Sequence, residues 1–69
     1  MIDFQKNIFV YRENNFLTQN DLAQILNVSE TTVNRWEKGK FNPSMKYRKK
    51  LYKLFVESGI IRGKNEKQL

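Results

Sequence analysis

Residues 29 to 40, SETTVNRWEKGK, carry side chains that can donate or accept hydrogen bonds at close spacing. Val33 and Trp36 lie three residues apart, so in a helix they share one side and leave the polar groups on the other. The guanidinium fork of Arg35 can donate two hydrogen bonds to one planar edge, such as O6 and N7 of guanine. The candidates for such contacts with base edges are five residues: Glu30, Thr31, Thr32, Asn34 and Arg35.

An ordinary solvated helix face is the other interpretation of these side chains, and it is the default for any isolated helix. Arg35 can equally contact a phosphate or form an ion pair with Glu30 or Glu37. Phosphates repel the Glu30 carboxylate, so this residue either accepts from cytosine N4 or discriminates against wrong sites at the edge of the contact.

The residues before this segment predict two short helices joined by a tight turn. Thr18 has the features of an N-cap, with Asp21 as its capping-box partner, and Ser29 repeats the device eleven residues later. Asn27 lies between them, where we expect a positive φ, which asparagine tolerates better than any residue except glycine. Two helices joined this briefly cross at a steep angle, which is the layout of a helix-turn-helix with an exposed second helix.

Helical periodicity predicts one further helix on each side of this pair. Asp3 can cap a first helix that runs to about Glu13. Gly39 ends the third helix, and a last helix, opened by Ser44 or Asn42, runs to about residue 58. Its inward stripe is Tyr47, Leu51, Leu54 and Phe55. We therefore predict an all-α fold, a small four-helix bundle with five helices as the alternative.

The chain length and composition limit the classes of function. Sixty-nine residues allow one domain, which we place at residues 1–61, followed by a basic polar tail, residues 62–69, that we expect to be disordered. With no cysteine and no histidine, the sequence lacks thiolate and imidazole ligands, so we expect no enzyme, no metal and no cofactor. No apolar run is long enough for a membrane span and no signal peptide is visible, so we expect a cytoplasmic protein. If its partner is DNA, it should be associated with the nucleoid.

The charge of the chain favours a polyanionic partner. The formal net charge is +6, from 13 basic and 7 acidic residues. From Arg35 to Lys53 there are eight cationic residues, and only Glu37 opposes them. Solubility alone could explain a lysine-rich face, but this asymmetry favours a surface that follows phosphates and includes Lys46 and Lys49.

Residues at many spaced positions form one extended motif: Arg12, Leu17-Thr18-Gln19, Leu22-Ala23, Leu26, Val28-Ser29, Thr32-Val33, Arg35-Trp36-Glu37, Gly39 and Pro43-Ser44. This motif resembles the Xre or Cro/CI family of helix-turn-helix DNA-binding domains, of the lambda-repressor-like type, from about Ile8 to Ser58. The resemblance implies a structural pair between Arg12 and Glu37. It also implies phosphate contacts from Gln19, Ser29, Lys38, Lys40 and Asn42.

Three departures from the family pattern are visible in the sequence. Asn27 replaces the usual glycine of the turn, and Phe16 stands where a glycine commonly ends the first helix. After Pro43, one long basic helix is expected where many relatives have two short ones. At Phe16 we therefore expect a rearranged end of the first helix. The dimer geometry of relatives that use a fifth helix as their seam does not transfer directly.

The sequence assigns some aromatic residues to the core and leaves others open. Trp36 is expected in the core, facing the first and fourth helices, and Tyr11 and Tyr47 are expected to line it. Phe41 lies in a loop among lysines, where it either covers the edge of the core or touches a sugar or a partner protein. Ile60 and Ile61 either form a dimer seam or pack onto the core.

The function implied by the residues and by the resemblance is that of a small transcriptional regulator, such as a repressor, of the kind found on bacterial chromosomes, phages and mobile elements. Its partner is double-stranded DNA, bound by a homodimer on half-sites about 34 Å apart. The alternatives are a protein-interaction module of the antitoxin or bridging-factor type, with a protein partner, and a nonspecific nucleic-acid or RNA binder.

Overall fold

The computed structural model describes residues 2–61, and the predicted disordered tail, residues 62–69, lies outside this range. The described part contains four helices and no strand: α1 (Phe4–Asn14), α2 (Gln19–Leu26), α3 (Glu30–Glu37) and α4 (Met45–Glu57). This confirms the all-α prediction and the count of four helices between residues 2 and 61. None of these helices is long and apolar enough to cross a bilayer.

The helices begin at the residues whose side chains predicted their caps. Asp3 accepts from the backbone amide of Lys6. Thr18 and Asp21 form the reciprocal capping box, with bonds of 3.0 and 2.9 Å. Ser44, rather than Asn42, is the N-cap of α4, but its side chain makes no capping hydrogen bond. The start of α4 therefore depends on packing more than the others do.

All four helices end in the same backbone turn. At the end of α3, the Gly39 amide donates to the Trp36 carbonyl and the Lys40 amide donates to the Arg35 carbonyl, at 3.1 and 3.0 Å. This pair of bonds is a Schellman motif, which requires one residue in the left-handed conformation. The residues in that conformation, with their φ angles, are Phe16 (57°), Asn27 (60°), Gly39 (76°) and Gly59 (82°). The positive φ predicted for Asn27 is confirmed, and Phe16 keeps the turn that a glycine would form.

The core lies where α1 meets α3 and α4, with α2 packed on α3. Phe55 of α4 is fully buried, with its ring 5.9 Å from that of Phe4 and 6.1 Å from that of Tyr11. Trp36 is 5% exposed and packs against Tyr47 of α4, as predicted. The other members of the buried cluster are Ile8, Leu22, Ala23, Leu26, Val33 and Leu51. One side of α3 is thereby fixed in the core, which determines what its other side presents.

The residues after α4 return to this core. Ile60 and Ile61 are partly buried and pack against it. Gly59 allows the reversal, since the Ile60 amide donates to the Phe55 carbonyl at 3.0 Å. Packing onto the monomer core is therefore the arrangement observed for these two isoleucines.

Candidate nucleic-acid interface

The outer side of α3 carries three exposed polar side chains. Val33 and Trp36 are buried, whereas Glu30, Thr31 and Arg35 are exposed. Within residues 2–61, these three side chains make no hydrogen bond or ion pair to the rest of the chain. Their donors and acceptors are available to a ligand.

Thr32 is half-buried and takes part in the helix cap. The Ser29 hydroxyl accepts from the Thr32 amide at 3.1 Å and lies 2.9 Å from the Thr32 hydroxyl. The cap fixes the first turn of α3, and each hydroxyl keeps further acceptor capacity. Thr32 therefore lies beside the exposed residues but is held by the protein itself.

Asn34 and Gln19 form a link between α2 and α3 that sequence reasoning missed. The Asn34 side-chain amide donates to Gln19 Oε1 at 3.3 Å, and Gln19 Nε2 donates to Glu37 Oε1 at 3.1 Å. Both residues are half-buried. The contacts span 15 and 18 residues of sequence. No local pattern specifies such contacts. The one available indication was that two side-chain amides lie on the facing sides of neighbouring helices.

Arg12 and Glu37 form a two-pronged ion pair between α1 and the last turn of α3. Arg12 Nε lies 2.7 Å and Nη2 lies 2.9 Å from the two carboxylate oxygens. Arg12 Nη1 also donates to the Leu17 carbonyl at 3.1 Å. The two side chains are only 14% and 9% exposed. This geometry ties the end of α3 to α1 and so sets the angle of the exposed helix face.

The charges of this pair stabilise each other. Burial raises the pKa of the Glu37 carboxyl, but hydrogen bonds from Arg12 and Gln19 and the Arg12 charge outweigh burial, so the pKa lies below its ordinary value. The hydrogen bond to Glu37 raises the pKa of Arg12. Both groups therefore remain charged near neutral pH.

A basic surface extends from the end of α3 along the loop and onto α4. Lys38, Lys40 and Asn42 in the loop are exposed, as are Lys46 and Lys49 on α4. Arg48 differs from its neighbours because its Nε donates to the Pro43 carbonyl at 2.8 Å, which holds the loop to α4. The ammonium groups of Lys46 and Lys50 lie 5.4 and 5.7 Å from the centre of the Tyr47 ring. The exposed cations thus follow α3 in the chain, on the loop and on α4.

Phe41, whose position the sequence left open, lies beside Arg35. The Arg35 guanidinium carbon is 5.5 Å from the centre of the Phe41 ring. Phe41 is 58% exposed, so it is not a core residue. In the sequence, Phe41 follows Arg35 by six positions across a glycine turn. This spacing indicates only weakly that the two side chains are in contact.

Comparison with known proteins places these observations in a family. The family model described as "Helix-turn-helix" matches residues 10–55. An uncharacterized HTH-type transcriptional regulator from Methanocaldococcus jannaschii is 49% identical over 45 residues, which are 65% of this chain and 68% of the relative. No solved structure matches the chain. The matched segment contains the capped α2 and α3, their left-handed turn and both partners of the ion pair, and the chain belongs to the helix-turn-helix family, as its Xre and Cro/CI-like motif predicted.

Proposed function

We propose that this protein is a sequence-specific, double-stranded DNA-binding transcriptional regulator that inserts α3 into the major groove. The observation that supports this most directly is the exposed face of α3. Glu30, Thr31 and Arg35 are exposed and make no side-chain hydrogen bond or ion pair within residues 2–61, while Val33 and Trp36 anchor the helix in the core. The similarity to a protein named as a transcriptional regulator supports the same function.

Arg35 is the principal candidate for base readout. Its guanidinium can donate two hydrogen bonds to guanine O6 and N7, a contact that discriminates by about 1–3 kcal/mol against other bases. Thr31 can contact a thymine methyl group, and Glu30 can accept from cytosine N4. Thr32 and Asn34 are assigned a secondary role, because their polar groups also serve the helix cap and the link to Gln19.

Phosphate contacts come from the ends of the helices and from the basic surface. The backbone amides at the start of α2 are directed out of the helix, and Gln19 is its first residue. Ser29 is the N-cap of α3, the position that Thr18 has in α2. The remaining proposed contacts are Lys38, Lys40, Asn42, Lys46 and Lys49.

In the proposed mode of action the protein occupies an operator. From that position it blocks or recruits polymerase. One copy offers few base contacts, so we propose that two copies bind half-sites about 34 Å apart, one helical turn of DNA. We also propose that the protein acts as a repressor and is associated with the nucleoid.

Selection of bound sequences from a random double-stranded library at about 150 mM salt tests the function, because nonspecific attraction is weakened there. We expect an enriched motif that contains guanine, arranged as an inverted repeat. Binding at low salt without any enriched sequence would contradict specific recognition and would favour a protein or RNA partner.

Salt titration of two variants separates base contacts from phosphate contacts. If about five phosphates are neutralised, log K should fall with log salt at a slope of about −4.5. Lys49→Ala should weaken binding to all sequences alike and make the slope less steep by about 1. Arg35→Ala should instead relax the preference at one base position. Equal effects of the two variants on all sequences would contradict the role of Arg35 in base readout.

A further inference from the structure

We propose that Phe41 is a positioning residue for base readout, because its ring holds the Arg35 guanidinium in place for a guanine. This inference rests on the proposed function and adds to it a specificity-determining residue outside α3. The 5.5 Å separation of guanidinium carbon and ring centre lies within the range of about 6 Å for a cation–π contact.

Arg35 has no competing partner within residues 2–61. Glu37 is the acidic group closest in sequence, but Arg12 and Gln19 occupy its carboxylate. Two other arginines also lie over rings, Arg12 over Phe9 and Arg48 over Phe4, but each of them also donates hydrogen bonds. Arg35 therefore differs from them in being ordered by a ring alone.

A ring contact orders the arginine without using its hydrogen-bond donors. An ion pair with Glu30 or Glu37 would have satisfied the same N–H groups that guanine must accept from. The cation–π contact is made through the ring face, so the donors stay free. Arg35 thus combines restricted motion with full donor capacity.

The loop that carries Phe41 is held at both of its ends. At its start, the Lys40 amide donates to the Arg35 carbonyl at 3.0 Å, which joins the backbone beside Phe41 to the residue that its ring covers. Gln5 supports this turn, since its Nε2 donates to the Glu37 carbonyl at 3.1 Å. At its end, Pro43 is buried and its carbonyl accepts from Arg48.

The exposure of Phe41 argues against a simple structural role. A ring that served only the core would be buried, whereas 58% of Phe41 is exposed. Its described cation–π contact is with Arg35. Replacing the ring should therefore change the behaviour of Arg35 more than the stability of the fold.

The test compares two variants of Phe41 by competition binding. The probes are the selected DNA site and the same site with guanine replaced at the position that Arg35→Ala identifies. Phe41→Leu keeps an apolar side chain and removes the ring face, whereas Phe41→Trp keeps the ring face. We expect Phe41→Leu to reduce the guanine preference about two- to five-fold, the size of an exposed cation–π contact, and Phe41→Trp to retain it. Arg35→Ala should reduce it by about five- to 150-fold.

Two further measurements separate positioning from other roles. In the protein without DNA, Phe41→Leu should shift the NMR signals of the Arg35 side chain, which lie in the ring current of Phe41, and should leave the melting temperature nearly unchanged. The salt slope of binding should also be unchanged, because no phosphate contact is lost.

Several outcomes would overturn the inference. A guanine preference in Phe41→Leu equal to that of the unchanged protein would remove the positioning role and leave the proposed function intact. The same holds if Phe41→Leu weakens binding equally on all sequences. A guanine preference that survives Arg35→Ala would overturn the inference together with the base-readout role of Arg35, and would leave sequence-specific binding itself intact. If the unchanged protein selects no sequence at all, both the inference and the proposed function fail.

Discussion

Two arginines of this domain are held by opposite kinds of contact. Arg12 is largely buried and gives its donors to the Glu37 carboxylate and the Leu17 carbonyl. Arg35 is exposed, and its contact is the face of the Phe41 ring. A charge whose donors are satisfied inside the protein joins helices, whereas a charge with free donors is available to another molecule.

The two arrangements meet on a single helix. Glu37 and Arg35 are two residues apart on α3, and they point toward the α1 seam and toward solvent respectively. The ion pair thus supports the helix that carries Arg35. Changes on the Arg12 side should appear first as lost stability, and changes on the Arg35 side as lost discrimination among DNA sequences.

Arg12→Met is expected to have the largest effect on stability. It leaves the Glu37 carboxylate largely buried without its cation, which costs about 3–5 kcal/mol in free energy of unfolding, measured by urea denaturation followed by circular dichroism. Arg35→Met is the matched control and should change stability by no more than about 0.5 kcal/mol. Should the single variant fail to fold, Arg12→Met with Glu37→Met should restore much of the stability. Equal losses in the two single variants would remove the distinction between the arginines.

Acid should reversibly reduce the stability that the Arg12–Glu37 ion pair contributes. The pKa of Glu37 is below its ordinary value of 4.5 in the folded protein, so the folded state binds this proton more weakly than the unfolded state. Its contribution to stability is therefore complete above pH 4.5 and is lost as the pH falls from there through the folded pKa.

The measurement is the urea midpoint as a function of pH, with Glu37→Gln as the comparison. Hydrogen bonds from Thr18 also lower the pKa of the exposed Asp21, and that effect is common to both proteins. The difference between the two pH profiles therefore isolates Glu37. Parallel profiles below pH 4.5 would contradict its role.

Gly39→Ala is expected to disturb the turn after α3, which joins Arg35 to the loop that carries Phe41. Its φ of +76° penalises a side chain by about 1–2 kcal/mol, and an added Cβ would lie 2.9 Å from Gln5 Oε1. Gly59→Ala is the matched control, with a φ of +82° and no atom within 4 Å of the added Cβ. Thermal unfolding should show a larger loss for Gly39→Ala, and only this variant should lower the guanine preference. Identical behaviour of the two variants would mean that Gln5 moves away freely.

Phe16→Gly should have a small effect, and it should be stabilising. Phe16 has a φ of 57° and is 94% exposed, so glycine relieves strain without losing packing. We expect a gain of about 1 kcal/mol in the free energy of unfolding, measured by urea denaturation, and a smaller gain for Asn27→Gly, because asparagine tolerates this conformation better. The turn also presents the Leu17 carbonyl to Arg12, so a loss of stability would mean that Phe16 contributes to the Arg12 site.

Much of the fold could be predicted because its signals are local. Caps at Asp3, Thr18 and Ser29 bond amides three residues away, and the left-handed turn at Asn27 depends on contacts within five residues. The burial of Trp36 and Leu51 follows from the helical period. The sequence did not predict that Phe16 adopts the left-handed conformation that glycine usually supplies. Residue types alone do not show how much backbone strain the end of a helix can hold.

The sequence by itself determined the helices, their caps and turns, the buried stripe and the excess of positive charge, because these depend on residue types and short spacings. Only the tertiary structure decided which polar side chains are satisfied internally. Gln19 and Asn34 are bound to each other across two helices, while Arg35 rests on Phe41 with its donors free. The physical reason is that the crossing of packed helices sets contacts between residues far apart in the chain, and that crossing is fixed by the whole core at once.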